Sequence, residues 1–248
     1  MTVYQEILEA KESGKKLLAV LIDPEKIEIQ SIHSFIQQVN QSMATHIFVG
    51  GSTDVHNQTE QVVIEIKKYT TLPVLLFPGS AQQVTSKADG ILFLSLLSGR
   101  NPEYLIEQQI ASALTVQKSG LEVIPTGYIL IDGGKQTSVE RISRTQPLAQ
   151  NNYELILKTS LAGQFSGKKL IYLEAGSGAI NPVGVVAINC VKSEIQIPLI
   201  VGGGIKNINQ LNNAYNAGAD MVVIGTAFEK DPTFFNELKK ETINENFR

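Results

Sequence analysis

Short apolar runs rich in β-branched residues recur along the chain, and most are followed by a stretch in which apolar residues repeat at helical spacing. Such alternation is typical of parallel strands connected by helices, because the helices cover both faces of the sheet. The runs predict eight strands, at residues 17–23, 46–51, 73–77, 90–95, 122–131, 169–174, 198–202 and 221–225.

The stretches between these strands predict helices at residues 28–42, 59–69, 102–119, 153–164, 183–193 and 207–216, with a shorter, more polar one at 80–87. Residues 1–16 predict a further amphipathic helix. Eight strand–helix units favour a closed (β/α)8 barrel over an open doubly wound sheet, which would carry a glycine fingerprint in its first turn. Here that turn reads LIDPEK. The predicted fold class is therefore α/β, a single TIM barrel.

Composition favours one domain over two. No stretch rich in Pro, Gly or Ser divides the 248 residues, and a TIM barrel typically needs roughly 250. Residues 1–248 are therefore assigned to a single barrel domain. The net charge of -3 argues against nucleic acid as a partner. Residues 1–16 do not resemble a signal peptide and no apolar run approaches the roughly 20 residues of a membrane span, so we expect a cytoplasmic protein.

Glycines are concentrated at the ends of the last predicted strands. Residues 201–205 read VGGGI after the seventh strand, and residues 224–227 read IGTA after the eighth. In TIM barrels the loops after these two strands commonly bind phosphate, because their backbone N–H groups can surround an anion. Glycines also simply allow a strand to turn into a helix. Two such loops on adjacent strands favour a phosphate site over plain turns.

The sixth predicted strand ends in YLEAGSG at residues 172–178. Side chains alternate along a strand, so Tyr172 and Glu174 are expected on the same, inward side, facing the substrate. Glu174 could accept hydrogen bonds from substrate hydroxyls or take a proton from one, with Ser177 completing the phosphate site. The alternative is a structural glutamate neutralised by a Lys or Arg inside the barrel. We favour the catalytic interpretation.

Acidic and hydroxyl side chains follow the first two strands. Asp23 ends the first strand before Pro24, and Ser52 and Thr53 follow the second. Mg²⁺ selects hard oxygen ligands and usually takes few of them from the protein, so Asp23 with Ser52 or Thr53 could bind it. Asp-Pro is also a common turn opener and Ser-Thr a common helix cap. These residues alone leave the two interpretations balanced.

Taken together, these motifs resemble the geranylgeranylglyceryl phosphate synthase family, prenyltransferases that join a prenyl diphosphate to glycerol 1-phosphate in ether-lipid synthesis. The resemblance covers nearly the whole chain and rests on LIDPEK at 21–26, FVGGST at 48–53, PTGY at 125–128, YLEAGSG at 172–178, VGGG at 201–204 and GT at 225–226. The insert at residues 132–152 resembles that of the family's second, larger group.

The resemblance implies Mg²⁺ as cofactor, bound by Asp23 and Ser52, with Lys26 and Thr53 near the diphosphate. It implies that a prenyl diphosphate, geranylgeranyl diphosphate first, reacts with sn-glycerol 1-phosphate and releases pyrophosphate, with Glu174 as the base. The acceptor-binding residues would be Tyr172, Leu173, Glu174, Ala175, Gly176, Ser177, Gly178, Gly203, Gly204, Gly225 and Thr226.

The apolar prenyl tail needs a groove, which we place along the third and fourth strands at Phe77, Leu94 and Leu96. A lipid substrate also suggests transient contact with a membrane surface. Exposed apolar helix faces predict a homo-oligomer, with dimer and hexamer equally open.

Two other functions would use the same phosphate end. A phosphosugar isomerase or aldolase would need a second acid or base, or a Schiff-base lysine, inside the barrel. Lys169 is expected at the wrong end of its strand, and Lys26 and Lys206 at the rim, so this function is disfavoured. A non-catalytic barrel that only binds a phosphorylated ligand would not need the residues on the Asp23 side.

Overall fold

Eight parallel strands form a closed barrel in chain order, with the last strand paired to the first. The computed structural model describes residues 1–52, 54–225, 234, 238 and 239. The strands are β1 (Leu17–Ile22), β2 (His46–Val49), β3 (Val74–Leu76), β4 (Gly90–Leu96), β5 (Glu122–Leu130), β6 (Leu170–Glu174), β7 (Leu199–Gly202) and β8 (Met221–Ile224). The predicted TIM barrel is confirmed.

Helices surround this barrel in the described part of the chain. They are α1 (Val3–Ser13), α2 (Ile32–Gln41), α3 (Thr59–Lys67), α4 (Gln108–Ser119), α5 (Ser138–Ser143), α6 (Tyr153–Phe165), α7 (Val185–Lys192) and α8 (Ile208–Asn216). A turn of π-helix, Glu103–Glu107, leads into α4. The α5 helix lies in the long insert between β5 and α6.

The predicted helix at residues 80–87 was wrong. Only a short 3₁₀ turn, Ala81–Gln83, forms there, and Val84 is already extended. The segment has few apolar residues to bury on one helical face, and its β-branched Val84 and Thr85 favour extended backbone. The other predicted helices and strands exist with ends displaced by a few residues.

The α1 helix closes the amino end of the barrel. Its Thr2 cap accepts the N–H of Gln5, and Gly14 ends the helix in the left-handed region. Its apolar face, Val3, Ile7 and Ala10, packs on the inward-facing residues of the strands. Because these buried side chains fill the amino end of the barrel, a ligand can enter only from the carboxyl end.

Alternation along the strands decides which side chains reach the open end. In β1, Leu17 and Ala19 belong to the cluster inside the barrel, so Asp23, which follows at the same parity, also faces inward. In β6, Leu170 and Tyr172 belong to the same inner cluster. The inward orientation predicted for Tyr172 and Glu174 is therefore confirmed.

Candidate active site

A cavity of about 1900 Å³, including its open mouth, occupies the carboxyl end of the barrel. We call it the main cavity. Asp23 and Gly203, which the sequence placed on opposite sides of one opening, both line it. The other predicted site residues that line it are Lys26, Ser52, Tyr172, Glu174, Ser177, Gly178, Gly204 and Gly225. Thr53 and Thr226 lie outside the described residues.

Three predicted acceptor-site residues do not line the main cavity. Leu173 and Ala175 are fully buried in the layer between strands and helices, as alternation along β6 requires. Gly176 contributes its backbone, because its N–H donates to Oε1 of Glu174 at 2.6 Å. These residues hold the β6 loop in shape and present their neighbours to the cavity.

The loop after β7 requires glycine for two reasons. Gly203 and Gly204 have φ angles of 79° and 73°, in the left-handed region. A Cβ atom on Gly203 would also overlap Oε1 of Glu174 and would lie 2.5 Å from the backbone nitrogen of Gly176. The β6 and β7 loops thus approach each other closely at the cavity wall, and the turn and the close approach both need glycine.

Glu174 is a buried carboxylate, 6% exposed, at the floor of the main cavity. No ion pair joins it to a Lys or Arg in the described part of the chain. Burial raises the pKa of Glu174, and the nearby Tyr172 hydroxyl and the Gly176 N–H oppose that rise. A carboxyl group with a raised pKa and no counter-cation is the environment of a general base rather than of a structural ion pair.

The Tyr172 hydroxyl is buried beside this carboxylate and lowers its pKa by acting as a hydrogen-bond donor to it. A Cβ atom on Gly202 would lie 2.5 Å from that hydroxyl and 2.8 Å from Oε2 of Glu174, so both groups converge on one point of the wall. The Tyr172 ring packs against Phe77 and Tyr128, at 5.5 and 5.3 Å between centroids. The hydroxyl and the carboxylate therefore form a buried polar pair on the cavity wall, where a ligand can hydrogen-bond to both.

Asp23 faces the main cavity from the opposite side. Its Oδ1 accepts the N–H of Glu25 at 3.1 Å, and its Oδ2 lies 2.8 Å from Nζ of Lys26. A Cβ atom on Gly51 would lie 2.9 Å from Oδ1, so the carboxylate lies against the β2 loop just before Ser52. The turn role expected of Asp-Pro is therefore real, and the carboxylate nevertheless lines the cavity.

The helix-cap alternative for Ser52 is not supported. Asp54 takes that role for α3, since its Oδ1 accepts the N–H of Gln58 at 2.8 Å and its Oδ2 accepts that of Thr59 at 3.1 Å. Ser52 lines the main cavity instead. A hard carboxylate oxygen from Asp23 beside a hydroxyl from Ser52 fits the preference of Mg²⁺. Among described residues there is no cluster of three or more His, Cys, Asp or Glu side chains for a metal ion.

A second, apolar cavity of about 820 Å³ opens from the main cavity between β3, β4 and α4. Phe77, Leu94 and Leu96, the residues predicted for the prenyl groove, all line it. The two cavities are adjacent, because they share the lining residues Gly51, Ser52, Phe77, Tyr128, Val139 and Ile142. We call the second one the apolar cavity.

Sequence reasoning missed the contribution of α5. Ser138, Val139, Arg141 and Ile142, on one face of this helix, line the main cavity. Tyr104, which precedes α4, lines the apolar cavity and was also missed. The spacing of Val139 and Ile142 is a helical signal that the sequence carries. The sequence does not show, however, that this short helix packs over the main cavity.

The PcrB family matches residues 9–246 of the chain. The chain belongs to the PcrB family. It is 57% identical over 227 residues to a geranylgeranylglyceryl phosphate synthase of Zunongwangia profunda, covering 92% of this chain and 97% of that one. It is 54% identical over 235 residues to one of Flavobacterium johnsoniae, covering 95% and 97%. The family resemblance found in the sequence motifs is confirmed.

A solved structure supports the same conclusion. The (S)-3-O-geranylgeranylglyceryl phosphate synthase of Thermoplasma acidophilum, in complex with its substrate sn-glycerol-1-phosphate, superposes with a TM-score of 0.92 at 34% identity. The match covers 99% of both chains. The barrel and its insert are therefore common to this chain and an enzyme of that name. Within the described residues, no helix has the length and apolar character needed to span a membrane.

Proposed function

We propose that this chain transfers a prenyl group, geranylgeranyl first, from its diphosphate to the 3-hydroxyl of sn-glycerol 1-phosphate and releases pyrophosphate. The observation that carries the proposal is that two unlike cavities share one wall, one polar with glycine loops and a buried carboxylate, the other apolar. A phosphorylated acceptor suits the first and a prenyl tail suits the second. The names of relatives that share more than half of its residues support the same reaction.

The reaction balances with the groups present. The bond between C1 of the prenyl chain and its diphosphate oxygen breaks, and the electron pair leaves with pyrophosphate. The acceptor oxygen forms the new ether bond to C1 and loses its proton to the Glu174 carboxylate. Because burial raises the pKa of Glu174, its conjugate base has a greater affinity for that proton than an exposed carboxylate.

The floor of the main cavity orients the acceptor. The buried Tyr172 hydroxyl can donate to a glycerol oxygen, and Glu174 beside it can accept from the reacting hydroxyl. Backbone N–H groups of the loops at Gly178, Gly203 and Gly204 surround the phosphate. Such positioning supplies a large share of the rate in bimolecular transfers.

Mg²⁺ is our proposed cofactor, with Asp23 and Ser52 as its protein ligands. When bound, the ion would neutralise the diphosphate and stabilise the charge that gathers on the departing oxygens. Ser52 lines both cavities, and Asp23 lines the main cavity and lies against Gly51, which also lines both. The diphosphate of a bound prenyl donor would lie here. The apolar lining at Phe77, Leu94 and Leu96 would hold the tail and exclude water from the ionising carbon.

An aldolase or isomerase is not favoured by the site. The lysines that line the main cavity in the described chain, Lys26 and Lys206, are exposed at its rim. Lys26 also pairs with Asp23 at 2.8 Å. A Schiff base requires a desolvated, unprotonated amine, and neither lysine is in such an environment.

We also propose that the protein is a homo-oligomer. Ile106, Ile110 and Leu114 are exposed at a spacing of one helical turn on the π-turn and α4. An apolar row of this kind is unusual on a monomer surface. Light scattering after gel filtration should give a mass of at least two chains, and a mass of one chain would contradict this expectation.

The transferase function is tested directly by incubating the protein and Mg²⁺ with glycerol 1-phosphate and prenyl diphosphates of several lengths. We expect a lipid-extractable ether product together with stoichiometric pyrophosphate. Pyrophosphate without an ether product, or no product with any donor, would contradict the proposal. Glycerol 3-phosphate serves as the acceptor control, because the oriented site should discriminate between the two enantiomers.

The metal site is tested by Asp23→Asn, which keeps the size of the side chain and removes its charge. We expect half-maximal activity to need at least about 10-fold more Mg²⁺, because a charged ligand is lost. The measurement is activity against Mg²⁺ concentration, together with Mg²⁺-dependent protection from thermal unfolding. A titration equal to that of the unaltered protein would argue against Asp23 as a ligand.

A further inference from the structure

The insert between β5 and α6 is fixed over the β6 loop at its first half. The backbone N–H groups of Ile180 and Asn181 donate to the Gly133 carbonyl at 2.9 and 3.0 Å. Thr137 is buried and packs directly on Gly176, where a Cβ atom would collide with its side chain. The first half of the insert thus lies against the glycine loop of the proposed acceptor site.

The second half of the insert is fixed over the apolar cavity. The side-chain amide of Asn101 donates to the Ser143 carbonyl at 2.8 Å, and Thr145 packs on Gly99. Beyond it, Leu148 pairs with Ile131 as a parallel extension of β5. With both halves held by hydrogen bonds and packing, the insert presents its side chains to the site in fixed places.

Lys135 reaches the acceptor side of the site. Its Nζ lies 3.1 Å from the position that a Cβ atom on Gly178 would occupy. Gly178 lines the main cavity beside Ser177. Lys135 forms no ion pair with an acidic residue in the described part of the chain.

Arg141 reaches the donor side. It lies on the cavity-lining face of α5, between Val139 and Ile142, and these two neighbours also line the apolar cavity. Arg141 thus lines the main cavity next to two residues that line both cavities. It too has no ion pair among the described residues.

The main cavity needs such cations if the proposed function holds. The two substrates bring a phosphate and a diphosphate into a cavity already lined by the carboxylates of Asp23, Glu25 and Glu174. Of the lining cations Lys26, Arg141 and Lys206, Lys26 pairs with Asp23, and Lys206 donates to the Ile180 carbonyl at 3.0 Å. Bringing anions into this cavity without further positive charge would be unfavourable.

We propose that the insert supplies one cation to each substrate, with Lys135 binding the phosphate of the acceptor and Arg141 the diphosphate of the prenyl donor. This inference rests on the proposed function and adds that one segment, the insert, binds both substrates through different residues. A lysine acts as a compact point charge on a phosphate, whereas an arginine can bind a diphosphate through two parallel hydrogen bonds.

The test compares Lys135→Met and Arg141→Met in steady-state kinetics with both substrates. We expect Lys135→Met to raise the KM for glycerol 1-phosphate about 10-fold and to leave the KM for geranylgeranyl diphosphate within about 2-fold. Arg141→Met should give the reverse pattern, and Arg141→Lys should recover part of the loss. Calorimetric titration with glycerol 1-phosphate alone should show the same weakening for Lys135→Met only.

Lys118→Met is the matched control, because it removes one exposed positive charge from the last turn of α4, at the opposite end of the barrel. It should behave as the unaltered protein. Equal changes of both KM values in both variants, or no change in either, would overturn the inference. Thermal unfolding separates a loss of fold from a loss of binding. If the unaltered protein makes no ether product, the proposed function itself fails.

Discussion

The two ends of the barrel are built from the same strands, yet they treat polar groups in opposite ways. At the closed amino end, Glu122 accepts the N–H groups of Val3 and Tyr4 at 2.6 and 3.1 Å. Asp220 there pairs with Lys192 at 2.6 Å and also accepts the N–H of Leu199. The polar groups of Glu122 and of the buried Asp220 are satisfied by the protein itself.

At the open carboxyl end the inward polar groups are left incomplete. Glu174 accepts from the Gly176 N–H and the Tyr172 hydroxyl, and it has no counter-cation among the described residues. An unsatisfied buried group carries a free-energy cost unless a ligand removes it. The comparison therefore separates polar groups that stabilise the fold from those that await a substrate.

The largest expected effect is at the open end. Glu174→Gln should lower kcat by a factor of about 10² to 10⁴, because it removes the proposed base and keeps the shape of the side chain. The activity of the unaltered protein should fall on acidification at a higher pH than an ordinary carboxyl would give, since burial raises the pKa of Glu174. The measurement is ether product against pH. A variant within a few-fold of the unaltered rate would refute the role of Glu174.

Asp220→Ala tests the closed end with the reverse expectation. Removing this carboxylate leaves the part-buried Lys192 ammonium and the Leu199 N–H without their partner. We expect the free energy of unfolding to fall by about 3 kcal/mol, with kcat and both KM values unchanged for the protein that remains folded. Urea unfolding measures the first and kinetics the second.

Glu154→Ala is the control for that change, because it breaks an ion pair with Lys158 that is exposed on both sides. It should leave the urea midpoint where it is. If Asp220→Ala lowered activity without lowering stability, the separation between the two ends would be wrong.

A smaller effect, on the pH dependence of stability, is expected from His46. This buried residue is an exception at the closed end, because it lacks a complete set of hydrogen-bond partners. Its Nε2 has no described hydrogen-bond partner, and burial, with the charge of Lys15, lowers its pKa to about 4. A lowered pKa means that the neutral ring is favoured in the folded state. The contribution of the neutral His46 ring to the free energy of unfolding is therefore complete above about pH 6.5 and is lost as the pH falls towards 4.

By this linkage, His46 should account for about 2 kcal/mol of lost stability between pH 7 and pH 5. His46→Leu should abolish that part of the pH dependence and leave the rest. Urea unfolding at several pH values measures it. Identical pH dependence in both proteins would show that the ring titrates normally in the folded state.

Much of the barrel could be predicted because its signals are local. A buried parallel strand such as β7 reads as an apolar run, and Asn207 caps α8 through its side chain as its residue type suggests. The segment at residues 80–87 could not be judged this way, because weak helical spacing does not decide between a helix and a turn. Packing against neighbouring segments decides it.

The site divides in the same manner. The sequence by itself determined which loops are rich in glycine and which strand ends carry Asp23 and Glu174. Because the parallel strands of a barrel all end on the same side, it also determined that these groups meet at one rim. The sequence also predicted that Phe77, Leu94 and Leu96, on the third and fourth strands, line an apolar groove, and they line the apolar cavity.

Only the tertiary structure decided where the insert lies. Its placement depends on Thr137 meeting Gly176 and on Asn101 meeting Ser143, contacts between residues about 40 positions apart in the chain. The burial that raises the pKa of Glu174 is likewise a property of everything packed around it. The periodicity of apolar residues depends only on residues close together in the chain. Burial, charge pairing and contacts between distant segments exist only once the barrel has closed.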